Sequence, residues 1–221
     1  MKWIYFLAGI ALALKILFTS NSILTDESTF EIVQSVIQES GVPNAVSAII
    51  FRNRLYDTIF EVVVFTIAIV GVKYLLADEK PIAHVHQFND QPSIVLARLG
   101  ATIAALVGVE LAIRGHLSPG GGFAAGVAGG TAIGLIAITS SMELMQSIYK
   151  RWHTAIWEKI SVIMFIGLAM FTLVGIELPH GQLGALVSGG ILPVLNILVA
   201  IKVTLGSWAV ILLFIRYRGL L

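Results

Sequence analysis

Residues 115–134 read GHLSPGGGFAAGVAGGTAIG, and the reading of the fold turns on them. The first half runs from His116 through Pro119, Gly120, Gly121 and Gly122 to Phe123, a tight connection with few side chains. The second half places glycines at 122, 126, 130 and 134, every fourth residue. Residues four apart stack on one helix face, so Gly122, Gly126, Gly130 and Gly134 form a stripe with nothing to hold a neighbouring backbone away. Glycine in a water-exposed helix costs about 1 kcal/mol against alanine, so four in register require a reason. In lipid, small residues at this spacing mark close helix packing. Two partners fit the stripe: another helix of the same chain, or a neighbouring subunit whose entry the 119–123 turn would shape.

Composition says which solvent that helix meets. Of 221 residues, 57% are hydrophobic and 12% charged, against roughly 25% charged in a soluble domain. The chain reads as an all-α integral membrane protein, because a spanning segment must satisfy its own backbone hydrogen bonds. There are no cysteines, which excludes disulfide frameworks, thiolate metal sites and cysteine nucleophiles. A net charge of +1 leaves no footprint for nucleic acid. The first residues superficially resemble a secretory leader, but Lys15 interrupts the apolar run and no clean small-x-small site follows, so none is expected.

About 20 apolar residues cross a bilayer core. Six candidate spans emerge: residues 3–19, 56–76, 95–114, 123–140, 160–176 and 188–215. Pro193 near the start of the last predicts a bend, a kink or a re-entrant turn. Nine basic residues (Lys2, Lys73, Lys80, Arg98, Lys150, Arg151, Lys159, Arg216, Arg218) fall on one side of this arrangement, and three (Arg52, Arg54, Arg114) on the other. Under the positive-inside rule both termini are cytoplasmic. The outer loop 20–55 carries an amphipathic helix over 23–40, started by Thr25 or Asp26 and stopped by Gly41 and Pro43. The run 45–51 is too short to span. The chain divides into a two-helix front (1–80), a polar cytoplasmic linker (81–94) and a four-helix rear (95–221). Residues 141–158 read as a second, amphipathic cytoplasmic link. No internal repeat is visible, which disfavours an inverted-repeat carrier within this chain.

Ionisable residues inside spans are expensive and are functional hypotheses by default. Glu61 lies about a turn and a half into the second span, with Asp57 four residues before it. Glu110 stands near the outer end of the third, four residues before Arg114. Lys202 is near the centre of the last span, with Asn196 nearby, and Lys15 is in the outer half of the first. Plainer readings stand beside each. Glu110 and Arg114 neutralise one another as an (i, i+4) pair. Asp57 serves a helix N-terminus, and Lys15 snorkels outward. Glu61 and Lys202 are harder to dismiss, since a central lysine costs roughly 2.5–3.5 kcal/mol on insertion scales. Each requires a partner or a wet cavity, as proton-relay groups do. His116 and His180 sit at outer turns, and His84 and His86 in the linker; two histidines do not supply a metal's ligand count. No metal site or cofactor is expected. Hydrolase and nucleotide-binding motifs are missing, and the 119–123 turn has no Lys or Ser/Thr of a phosphate loop.

Gly115-His116, Pro119-Gly-Gly-Gly-Phe123, the Gly/Ala-rich span and Glu177-Leu-Pro179 together resemble the B subunit of Mrp-type multisubunit cation/proton antiporters, over roughly residues 93–215. Asn44, Val46, Ile49, Arg54, Asp57, Thr58 and Glu61 resemble, in their spacing, the C-terminal tail of the large A subunit of the same antiporters, over roughly residues 44–76. The resemblance implies an accessory, non-catalytic subunit of a Na+- and H+-translocating module, with other membrane subunits as partners. It favours a host among membrane-bound hydrogenase-like respiratory complexes, since the tail is here cut loose from the large antiporter domain. It places the tail's acid on Glu61. Two departures stand out: Arg52 occupies a position expected to be aspartate, and Asn196 and Lys202 lie where antiporter members carry an acid. Rival readings are a structural scaffold with silent charges, a stand-alone carrier or free-standing antiporter, and, distantly, an intramembrane hydrolase.

Overall fold

The computed structural model describes Ile10, Leu14 and residues 26–82 and 84–220. Every regular element among them is helical: α1 (Asp26–Ser40), α2 (Ala45–Ala48) running into a π-helical turn (Ile49–Asn53), α3 (Leu55–Leu75), α4 (Gln91–Arg114), α5 (Gly122–Ala137), α6 (Met142–Arg151), α7 (Thr154–Leu173) and α8 (Leu192–Arg218). The chain forms two compact units, Met1–Val36 and Ile37–Leu221. The described part of the first is essentially the opening of α1, and everything below concerns the second. Of the expected span over residues 3–19 only Ile10 and Leu14 are described, and Lys15 lies outside the described residues.

Four helices, α3, α4, α7 and α8, are long and apolar enough to cross a membrane. The shorter α5 has 16 residues, a rise of about 24 Å at 1.5 Å per residue. It stops three residues before the end of the expected 123–140 span. Ser141 ends that run by starting a new helix, its side chain accepting a hydrogen bond from Leu144 N at 3.2 Å. Local chemistry explains other boundaries. Asp90 caps α4 by accepting from Ser93 N at 3.0 Å, and hydrogen bonding from Ser93 holds its carboxyl below the ordinary range. Gly41 closes α1 at φ +68°, a left-handed turn that glycine adopts without Cβ strain. Pro193 neither bends nor kinks α8. It occupies the helix's first turn, where a missing N–H leaves no bond unmade.

α8 is the hub, packing against α5, α7, α3 and α4. At the cation-rich end, Arg218 bonds Glu79 at 2.6 Å and Ile82 N donates to Arg216 O at 3.0 Å. At the opposite end, Asn44 Nδ2 donates to Gly115 O and Ser118 O, both at 2.7 Å. Arg52 there bridges Glu39 (3.4 Å) and Glu177 (3.2 Å). The ends that meet are those that a chain threading back and forth across the bilayer would bring together.

Candidate functional site: a buried charge pair on the central helix

The glycine stripe of α5 faces α8 of the same chain. A Cβ on Gly122 would lie 2.3 Å from Asn196 O, one on Gly126 2.4 Å from Val203 Cβ, and one on Gly130 2.7 Å from Ser207 Cβ. No side chain fits there. Of the two partners that fit the stripe, its first three glycines meet a helix of the same chain. Gly120 and Gly121 precede the helix at φ +148° and +144°, an extended mirror conformation that L-residues avoid. They deliver Phe123 to the first turn of α5.

The opposite side of α8 carries a charge. Lys202 is fully buried, and its Nζ donates to Glu158 Oε1 in the first turns of α7. The ammonium also lies 5.4 Å from the centroid of Phe65 on α3, within reach of a cation–π attraction. Phe65 in turn meets Phe123 edge-on, with ring centroids 6.2 Å apart. Gly206 permits this approach, because a Cβ there would sit 2.8 Å from Phe65 Cε1. Four helices thus converge: α7 supplies the acid, α8 the base, α3 and α5 the aromatic wall. An opposite charge is what makes a buried ammonium tolerable.

Glu158 is absent from the sequence expectations, which assigned residues 141–158 to a cytoplasmic link. Residues 154–158 instead open α7. The signal was spacing: Thr154, Glu158, Ser161, Phe165 and Ala169 form the buried stripe of that helix, at intervals of three and four that define one face.

The remaining expected residues scatter. Glu61 is exposed on α3, one turn before Phe65, with no ion pair or hydrogen bond among the described residues. Asp57 accepts from Arg54 Nε at 2.6 Å. Glu110 pairs with Arg114 at 3.1 Å on the surface of α4. His116 is fully buried at the opposite end from the cation-rich one, and neither ring nitrogen has a hydrogen-bond partner. Burial pushes its pKa down, opposed in part by the backbone at Ala185 and Leu186. Asn196, also fully buried, donates to Leu111 O (3.1 Å) and Ala112 O (2.7 Å), serving carbonyls that the end of α4 leaves without intrahelical donors. No group of three or more His, Asp or Glu among the described residues is placed to hold a metal. Beside the pair, Phe65, Gly130, Gly134, Ser207 and Phe214 line an open apolar groove of about 710 Å³.

A family model for a domain related to the MnhB subunit of Na+/H+ antiporter matches residues 92–209, more than half the chain. The chain belongs to that family. It is a multi-pass membrane subunit of the antiporter-module kind. Among solved structures, this MnhB-related chain is similar to one in the membrane-bound sulfane sulfur reductase, an archaeal respiratory membrane complex. That likeness has 24% identity and a TM-score of 0.69, and covers 97% of this chain and 98% of the other. It is also similar to a chain of the Mrp complex from Dietzia sp. DQ12-45-1b, at 18% identity and a TM-score of 0.61, over 97% of this chain and 26% of that one. At these identities the likenesses speak to fold. No curated protein matches.

Proposed function

We propose that this chain is a non-catalytic accessory subunit of a Na+/H+-translocating module built into a larger respiratory membrane complex. It walls part of a hydrated ion path and packs neighbouring subunits. The observation that carries the reading is the Lys202–Glu158 pair beneath Phe65, with the unpartnered carboxylate of Glu61 one helical turn away on the outward face of α3. A lone carboxylate on a spanning helix calls for a partner outside the chain: a neighbouring subunit's cation, or water and ions between them. Glu61 is then the titrating or cation-attracting group of the path. Lys202 is a fixed positive station behind it, held by Glu158. Glu110, Asp57 and His116 are lesser polar stations toward the opposite face.

The respiratory host is favoured by the fold likeness to a chain of nearly equal length in the sulfane sulfur reductase. The tail-like character of residues 1–80 draws support from the Mrp likeness, which extends over 97% of this chain rather than the family-matched part alone. The groove along α5 and α8 offers a neighbouring helix its seat. Glu61→Gln in the assembled complex is expected to lower Na+-linked transport in vesicles at least tenfold, while subunit stoichiometry and melting stay unchanged. Full transport by that variant removes the path reading.

A second reading has its own observation in favour: Lys202 is fully buried and its ammonium is paired with Glu158. On that reading the pair is a silent clamp within a scaffold subunit. The double variant Lys202→Met/Glu158→Leu separates the two, since a scaffold keeps full transport without the pair and a path does not.

A further inference from the structure

At the cation-rich end, a cleft of about 180 Å³ opens between α3, α6, α7 and α8. Its rim holds Lys73 from the last turn of α3, Lys150 from the last turn of α6 and Arg216 from the last turn of α8. All three are exposed, and none pairs with a carboxylate among the described residues. No Asp or Glu lines the cleft. The nearest acid in an adjoining cleft is Glu143, which shares Gln146 and Arg216 as a dividing wall. Arg216 lies 5.7 Å from the Tyr217 ring, a contact that leaves its guanidinium N–H groups free to donate. The floor is apolar, made by Ala209, Leu212 and Leu213 of α8. Three like charges converging without a counter-charge repel one another, and an anion resolves that repulsion.

From this arrangement we infer that the cleft binds the headgroup of an anionic phospholipid, with the phosphate on Lys73, Lys150 and Arg216 and the upper acyl chain along Leu212 and Leu213. The place fits this occupant better than a soluble anion. Lys73 and Arg216 sit at the ends of spanning helices, the depth at which headgroups lie, and Lys150 joins them from the end of the short α6. The positive-inside rule puts this face in the cytoplasm, where basic pockets between helices take acidic lipid headgroups. Tyr149 adds a phenol to the lining. Burial and the charge of Glu158 hold its pKa above the ordinary range, so it stays a neutral donor. Its ring is braced edge-on against Trp208 at 5.4 Å. The site stands independently of the ion-path reading, because none of its residues belongs to that path.

The test uses the complex purified with this chain in place, delipidated in mild detergent, and titrated with phosphatidylglycerol, phosphatidylcholine or inorganic phosphate. Lipid retention is read by native mass spectrometry. Phosphatidylglycerol is expected to bind and the other two not. Each neutralisation among Lys73→Gln, Lys150→Gln and Arg216→Gln is expected to weaken retention roughly fivefold, the equivalent of about 1 kcal/mol per basic residue near an acidic surface. Lys80→Gln, outside the cleft, is expected to change nothing. Should Lys73→Gln or Arg216→Gln fail to accumulate, Lys150→Gln alone decides, because it sits at the exposed end of α6. Retention unchanged in that variant overturns the inference. So does equal binding of phosphate or phosphatidylcholine, or a cross-link from Lys150→Cys to a partner subunit that fills the cleft.

Discussion

α8 has two seams that solve opposite problems. Toward α5 it meets glycines, and contact is made by removing side chains until backbones touch: Gly122 and Gly126 leave no room for a methyl against Asn196 O and Val203 Cβ. Toward α7 and α3 it meets a carboxylate and an aromatic ring, and contact is made by adding functional groups, Glu158 and Phe65, to enclose an ammonium. The first seam draws its strength from dispersion at short range, spread over several turns. The second concentrates its interaction at one residue. A spread seam degrades gradually under mutation, whereas a concentrated one fails when either partner is lost.

The largest expected effect tests that contrast directly. Lys202→Ala leaves Glu158 buried without its counter-charge, a loss of about 3–5 kcal/mol, seen as a collapse of the complex's melting temperature. Lys202→Met with Glu158→Leu should recover most of it, because a matched apolar pair leaves no orphan charge. If the single and double variants melt alike, the pair is not a coupled unit. On the other seam, Gly126→Val forces a branched side chain onto Val203. Overpacking of this kind costs about 1–3 kcal/mol, whereas Gly167→Ala on α7, with nothing within 4 Å, should leave melting unchanged or slightly raised. An intolerant Gly167 would mean that α7 has a close neighbour outside the chain.

The smallest effect is a pH dependence that belongs to neither seam. Burial lowers the pKa of His116 below its ordinary 6.5, so the unfolded chain takes up a proton before the folded one does. Its contribution is fully present above pH about 6.5 and is lost as pH falls through the lowered native value. Melting curves from pH 7.5 down to 5 should show an acid-side decline that is shallower in His116→Phe. A slope identical in both proteins would remove His116 as its source.

Much of this was legible beforehand, for identifiable reasons. The long helices announced themselves by unbroken apolar runs, but α4 begins at Gln91, four residues before the expected span at 95, because Asp90 caps it within what read as linker. The glycine stripe named its own close packing but not its partner, because spacing defines a face and not what lies opposite. Glu158 was misplaced because residues 141–158 read as one amphipathic link, whereas α7 opens at Thr154 inside it. The opposite end of the pair, Lys202, was identified as requiring company, yet the company lies 44 residues away. Asn196 was noted beside Lys202, but its service to the end of α4 is a contact between distant helices that no local pattern encodes. Arg52, a departure from the A-tail pattern, proves to bridge Glu39 and Glu177, which makes it a tie between the end of α1 and the segment after α7.

The bond between α7 and α8 also bears on how the chain is made. A ribosome delivers α7 first, with a carboxylate near its leading turn. α8 follows with an amine at mid-depth that on its own opposes partitioning by roughly 2.5–3.5 kcal/mol. The two segments are therefore best released from the insertion machinery together, as one neutral hairpin, and α7 has reason to linger at the lateral gate until its successor arrives.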